Sequence, residues 1–261
     1  MICFPTLSRS RREGGFTLVE LAICLMIIGL LIGGVLRGKE LLENARIAAL
    51  IKQVNSYYAA KVAFTDQYSA MPGDMVNARQ RIQNCDDNTF CRNGDGSAFV
   101  GHLIHDFGDN DNQALTSMPE VETMMFWKHL SLAGFISDLN AGADPSRPEW
   151  GHTHPAAKLA GGFSIFYFQD SGSAVQHDKG AGHVLRLQSA PDSRGYSYTP
   201  GEDVMLLTPR QAYKLDSKMD DGLGDSGFVT ADHEQECDGN GNYHTDWRAE
   251  LRSCVMYFDM N

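Results

Sequence analysis

The sequence has no proline between Pro5 and Pro72 and no charged residue between Glu20 and Arg37. A stretch without proline permits one long helix, because proline is the residue that most strongly interrupts helices. Three signatures are also missing: the P-loop, the dinucleotide-binding glycine fingerprint and a helical H-E-x-x-H zinc motif. We therefore expect no enzyme of these classes, and we expect the chain to be no enzyme at all.

Positive charge is scarce in the chain as a whole. Lysine and arginine number 22 against 33 aspartates and glutamates, which leaves a formal net charge of −11. A body this acidic repels nucleic acid and anionic lipid, so no nucleic-acid partner is expected. The hydrophobic content of 43% fits a folded body.

The six cysteines divide into two kinds. Two lie near the amino terminus, and four lie in the body, as Cys85, Cys91, Cys237 and Cys254. If the body lies outside the cytoplasm, its two local pairs favour two disulfides, with free thiols as the alternative and three pairings formally possible. A bridge from Cys237 to Cys254 would contribute about 3 kcal/mol in the chain-entropy model.

An apolar stretch, EGGFTLVELAICLMIIGLLIGGVL, runs from Glu13 to Leu36 behind three arginines. No A-x-A-like cleavage site follows it, so it differs from a conventional secretory signal and should stay attached. Residues 16–36 would form a helix of roughly 31 Å, which spans a membrane once. The arginines place the amino terminus in the cytoplasm and everything after Arg37 outside.

Glu20 is the one carboxylate inside this stretch. An ionised acid in lipid costs about 2.5 to 3.5 kcal/mol on insertion scales, so Glu20 needs a partner unless it stays hydrated near the interface. A cut between Gly15 and Phe16 would create an α-amino group one helical turn from Glu20, or beside the Glu20 of a neighbouring copy.

The run Gly15-Phe16-Thr17-Leu18-Val19-Glu20 before an apolar helix resembles the processing site of type IV prepilins and type II secretion pseudopilins. The resemblance implies cleavage after Gly15 by a prepilin peptidase, N-methylation of Phe16, and a role for Glu20 in assembling subunits into a helical filament. Segments 37–49, 68–78 and 207–222 resemble a subgroup of pilin-like proteins with large heads.

The same resemblance implies the protein's partners and location. The partners would be other pilin or pseudopilin subunits, the inner membrane, and a pilus or type II secretion assembly machinery. The chain would first be a single-pass inner-membrane protein with its amino terminus cytoplasmic and its head periplasmic. It would then enter an extracellular pilus or a periplasmic pseudopilus.

The expected fold is α+β and pilin-like, with residues 1–15 as leader, 16–64 as a stalk helix and 65–261 as a globular head. The stalk is transmembrane over 16–36, and its second half is amphipathic, with apolar residues at three- and four-residue steps. Strand composition at 161–168, 182–187 and 253–258 predicts an antiparallel sheet. Cap signals at Ser117 and Thr208 predict helices that continue to Gly134 and Met219.

Acidic and amide residues are concentrated in loops, where hard oxygen ligands suit calcium. Asp109, Asp111 and Glu120 occupy positions 1, 3 and 12 of an EF-hand-like spacing, although position 6 is Ala114 in place of glycine. Calcium is therefore a possible cofactor at these residues or at the other acidic loops, 86–88, 93–96, 220–221 and 238–242. Ordinary Asx turns are the alternative.

The histidines and one serine offer weaker signals. The closest histidine pairs, His152 with His154 and His102 with His105, have no third ligand nearby, so a zinc site is not expected. His129 is predicted to be a helix-surface or interface residue. Residues 224–227, GDSG, resemble a serine-protease motif at Ser226, but a turn explains them equally well.

Two functions of different classes follow. The first is a structural subunit of a type IV pilus or type II secretion pseudopilus. The alternative is a membrane-tethered extracytoplasmic module that binds calcium or a partner and never polymerises. The sequence does not separate pilus from pseudopilus.

Overall fold

The computed structural model describes residues 17–100, 118–144, 147–168, 182–189, 191, 205–231, 237–239 and 241–261. The side chains of residues 118–121, Phe168, Asp238 and Trp247 lie outside this description. By its internal contacts the chain forms two units, of which the first ends at Ala45 and the second comprises Arg46–Asn261.

Helix α1 (Leu18–Tyr68) is 51 residues long and contributes to both units. It continues one turn beyond the predicted end at Phe64, because the buried Tyr68 ring packs on Phe64 with centroids 4.5 Å apart. The helix ends at Ser69, whose φ of 53° is left-handed and whose N–H donates to the Thr65 carbonyl at 2.8 Å. A left-handed residue at this position is a common way to end a helix.

The second unit contains a four-stranded antiparallel sheet in the order β1-β2-β6-β3. Its strands are β1 (Gly162–Phe168), β2 (Gly182–Gln188), β3 (Val229–Ala231) and β6 (Met256–Asp259); β4 (Asp238–Gly239) and β5 (Asn242–Tyr243) form a separate ribbon. The strand predicted from residue 253 begins only at Met256. Ser253 and Cys254 instead donate their N–H groups to the Leu207 carbonyl.

Three shorter α-helices accompany the sheet: α2 (Ala78–Arg81), α3 (Met118–Leu132) and α4 (Pro209–Met219). Helix α4 begins as predicted, with the Thr208 hydroxyl accepting from the Gln211 N–H and the Gln211 side chain accepting from the Thr208 N–H. Helix α3 ends before Gly134, as predicted, and the predicted cap Ser117 lies outside the described residues.

One stripe of α1 enters the core of the second unit. Its buried members recur at helical spacing and include Ile47, Leu50, Val54, Tyr57, Ala60, Phe64 and Tyr68. Tyr57 contacts Trp127 of α3 and Phe163 of β1 edge-on, at centroid distances of 5.1 and 5.6 Å. Burying each large apolar side chain contributes about 1.5 to 3 kcal/mol. The predicted class, α+β with an antiparallel sheet and a long amino-terminal helix, is confirmed.

Candidate functional sites

The first turn of α1 contains a reciprocal hydrogen-bond arrangement between Thr17 and Glu20. The Thr17 N–H and hydroxyl both donate to Glu20 Oε2 at 2.9 Å, and the Glu20 N–H is 3.2 Å from Thr17 Oγ1. This is a capping box, which satisfies N–H groups that a helix start leaves unpaired. Its signature, Thr-x-x-Glu, is visible in the sequence as Thr17 and Glu20.

The part of α1 before residue 43 exposes its apolar side chains all around the helix. Every residue from Thr17 to Leu42 is exposed, and the large members include Leu18, Leu21, Leu25, Leu30, Leu31 and Leu36. The helix is long and apolar enough to cross a membrane. An all-round apolar helix needs lipid or other helices to cover it.

Residues 10–36 match the family model described as the prokaryotic N-terminal methylation motif. The chain carries the signal of type IV pilins and pseudopilins. No curated protein and no solved structure matches it. The motif supports a pilin-like or pseudopilin-like precursor, and it implies processing by prepilin peptidase and assembly with other pilin subunits. The apolar helix is consistent with membrane anchoring of such a protein.

Within this pilin-like signal, the predicted cleavage and methylation residues Gly15 and Phe16 lie outside the described residues. Glu20 lies inside them and already has a partner in its own chain. The capping box satisfies one oxygen of Glu20 through Thr17, and the pairing of Glu20 with a new amino terminus stays a prediction. The charge of the carboxylate still has no cation within that box.

Two disulfides close loops in the second unit. Cys85 bonds to Cys91 across 6 residues, and Cys237 bonds to Cys254 across 17. These are the two local pairs among the three possible pairings. Cys24 of α1 is an exposed free thiol.

Several histidines are core residues of the head. His129 is fully buried, where its Nδ1 accepts from the Gly73 N–H at 2.9 Å and its Nε2 lies 2.8 Å from the Arg92 carbonyl. The prediction of a surface or interface role for His129 was wrong, because α3 turns this ring toward Phe64. Burial lowers its pKa to about 4, so the ring is neutral and joins two loops to α3.

Among the described residues, no group of side chains that could hold a metal ion contains His152 or His154. His154 is buried with Nδ1 2.9 Å from the Thr153 hydroxyl, and His102 and His105 lie outside the described residues. Ser226 donates its hydroxyl to Asp221 Oδ2 at 2.7 Å, which is the pairing of a turn and not of a histidine-activated nucleophile. Asp109, Asp111 and the Glu120 side chain, the predicted calcium ligands, also lie outside the described residues.

The structure brings together a carboxylate cluster of which the sequence predicted only the loop 93–96. Asp74, Asp95 and Glu122 each offer one oxygen, and these oxygens lie within 4.8 Å of one another. Asp95 is exposed, whereas Asp74 and Glu122 are only 7% and 1% exposed. Burial raises the pKa of Asp74 and raises that of Glu122 to about 8, while hydrogen bonds from Ser97 lower the pKa of Asp95.

A second cluster contains Asp216, Asp220 and Asp221. Asp216 accepts from the Tyr243 hydroxyl at 2.7 Å and from the Gly222 N–H at 3.0 Å, and burial raises its pKa to about 6. Asp220 accepts from the Phe228 and Val229 N–H groups. These carboxylates order the turn that follows α4, because their oxygens are used by donors of the chain itself.

Proposed function

We propose that the chain is a structural subunit of a type IV pilus or type II secretion pseudopilus. It would be inserted as a prepilin, cut after Gly15, N-methylated at Phe16 and assembled through α1. The observation that carries this proposal is the methylation motif at residues 10–36, which continues into a helix whose apolar surface stays exposed from Leu18 to Leu42.

Assembly would cover this surface. A helix that leaves lipid needs replacement contacts on every side, and copies of the same apolar helix supply them. The amino terminus would be cytoplasmic and the head periplasmic before assembly, since the three arginines precede the helix. The head would then be carried into an extracellular pilus or a periplasmic pseudopilus.

Glu20 would have two roles in the proposal. Its hydrogen bonds with Thr17 begin the helix, and its charge would attract the new amino terminus of Phe16, in the same or a neighbouring subunit. Glutamine at this position can keep the acceptor oxygen of the capping box without the charge. The substitution therefore separates the two roles.

The first test is processing. Co-expression of the chain with a prepilin peptidase should yield a mature protein whose amino-terminal residue is methylated Phe16, as read by mass spectrometry. Gly15→Leu should block cleavage. A mature amino terminus at any other residue would refute the proposed processing.

The second test is assembly. Glu20→Ala and Glu20→Gln should both be cleaved normally and should both fail to appear in sheared surface filaments or purified pseudopili. Glu40→Ala, which removes another exposed carboxylate of α1, is the matched control and should assemble. Normal filaments from Glu20→Gln would refute the charge role, and rescue by Gln but not Ala would assign Glu20 to capping alone.

The alternative function is a membrane-tethered extracytoplasmic module that binds calcium or a partner without polymerising. In that case the processed chain would stay in the membrane fraction under all conditions that produce filaments. The fraction in which the wild-type chain appears therefore separates the two functions.

A further inference from the structure

We propose that Asp74, Asp95 and Glu122 of the head bind a calcium ion. They come from three separate segments: the turn after α1, the loop before residue 100, and α3. Their closest oxygens lie within 4.8 Å of one another, which is the spacing of oxygens around one cation with ligand distances of about 2.3 to 2.6 Å.

A buried oxygen without a partner points to a ligand at this cluster. Asp74 Oδ2 accepts from the Ala98 N–H at 3.0 Å, whereas Asp74 Oδ1 is buried and has no hydrogen-bond partner among the described residues. Burying a carboxylate oxygen without compensation is costly. A cation at the cluster would satisfy it.

The charges of the cluster favour the same conclusion. Among the described residues, none of the three carboxylates forms an ion pair with a lysine or arginine. Carboxylates at this separation repel one another unless a proton or a cation lies between them. A divalent ion would offset most of the charge of the cluster at once.

The backbone holds the segments close enough for joint binding. The Asp95 N–H donates to Glu122 Oε1 at 2.8 Å, which ties the loop to α3. A Cβ on Gly73 would lie 2.6 Å from the Glu122 carbonyl oxygen, and one on Gly94 would lie 2.3 Å from the Asp74 backbone. Only glycine fits at these two approaches, so the carboxylates are positioned in advance.

The turn cluster of Asp216, Asp220 and Asp221 shows why the first cluster stands apart. Both oxygens of Asp216 and both of Asp221 accept hydrogen bonds from the chain itself. No atom of that turn cluster is among the buried atoms without a partner. In the first cluster each carboxylate also accepts a hydrogen bond from an N–H group of the chain, and Asp74 Oδ1 is the buried oxygen that lacks such a donor among the described residues.

Calcium fits the ligand set better than the smaller magnesium ion. Calcium accepts 6 to 8 oxygens in a flexible arrangement, and the exposed side of Asp95 leaves room for water to complete the shell. Magnesium requires near-ideal octahedral geometry and gives up water reluctantly. Extracellular calcium modules typically bind with Kd of about 10⁻⁴ to 10⁻³ M, and we expect this range.

The test uses the full chain in detergent, stripped with EDTA and titrated with CaCl2 by calorimetry. We expect one ion per chain and a rise in Tm, because calcium at about 100 times Kd favours the folded state by about 100-fold. Asp74→Asn and Glu122→Gln keep similar shapes and an acceptor oxygen, and each should weaken binding at least ~10-fold. Asp221→Asn is the matched control and should bind like the wild type.

Three results would overturn the proposal. The first is a folded wild-type chain that shows neither heat nor a Tm shift with ~10 mM CaCl2, a concentration well above the expected Kd. The second is binding that Asp221→Asn loses as strongly as Glu122→Gln does. The third is an equal shift with MgCl2, which would refute the assignment to calcium. None of these depends on filament assembly, so the proposed function is tested separately.

Discussion

The residues of α1 before Arg46 and those after it belong to one helix, yet their apolar side chains have different surroundings. From Thr17 to Leu42 every residue is exposed, and the large apolar side chains point in all directions. From Ile47 to Tyr68 a single stripe is buried against the sheet and α3. An all-round apolar helix requires partners outside its own chain, whereas a striped helix can be satisfied inside it.

Alanine substitutions of one leucine in each region of α1 test this difference most directly. Leu50→Ala should lower the free energy of unfolding of the second unit by about 2 to 5 kcal/mol, because it opens a cavity at a fully buried site. Leu31→Ala, at a side chain 61% exposed, should change it by less than about 0.5 kcal/mol. Urea unfolding of the full chain in detergent, followed by tryptophan fluorescence, measures both. Equal losses would show that the two regions do not differ in this way.

The cysteines offer a comparison of intermediate size. Replacing Cys237 and Cys254 by serine should lower the free energy of unfolding by about 3 kcal/mol. The same replacement of Cys85 and Cys91 should lower it by about 2 kcal/mol, because the loop that this disulfide closes is shorter. Cys24→Ser, at the exposed free thiol of α1, should have no effect. The midpoints of urea unfolding under oxidising conditions test the expected order of these three stability losses. A larger loss from the shorter loop would contradict the loop-closure explanation.

The pH dependence of stability sharpens the comparison further, because buried histidines occur in the head. Burial lowers the pKa of His154 to about 4, so between about pH 6.5 and 4 only the unfolded chain takes up this proton. As the pH is lowered from about 6.5 to 4, the free energy of unfolding should therefore decrease by up to about 1.4 kcal/mol per pH unit for this group. Below about pH 4 the contribution becomes constant.

His154→Gln should remove that slope, and the difference between wild type and variant isolates it. The subtraction matters because Asp216, with its pKa raised to about 6, acts in the opposite direction and loses its contribution as pH rises through 6. Unfolding curves at pH 7, 6 and 5 make the measurement. Parallel curves for wild type and variant would exclude a buried neutral His154.

Local signals predicted the elements well. Strand composition located β1 and β2 to within a residue, and the cap at Thr208 placed the start of α4. The division of the chain into residues 16–64 and 65–261 stays a prediction, as do cleavage after Gly15 and methylation of Phe16. The Thr17–Glu20 capping box was equally local and could have been predicted from Thr-x-x-Glu.

The misses concern contacts between residues far apart in the chain. His129 was predicted at a surface because it lies between the polar Lys128 and the apolar Leu130. Only the packing of α3 shows that the backbones of Gly73 and Arg92 form hydrogen bonds with its ring. The calcium ligands predicted at 109–120 followed a spacing within one loop and stay a prediction, because Asp109, Asp111 and the Glu120 side chain lie outside the described residues. Asp74, Asp95 and Glu122 have no such spacing, so no local pattern could group them.

The sequence by itself determined the processing signal, the long proline-free helix and the α+β composition of the head. Each of these depends on residues near one another in the chain, where helix periodicity, caps and hydrophobic length act locally. Tertiary structure alone decided which histidines are buried, and which carboxylates lie close together. Those properties depend on desolvation and on distances between segments, which exist only once the sheet and helices have packed.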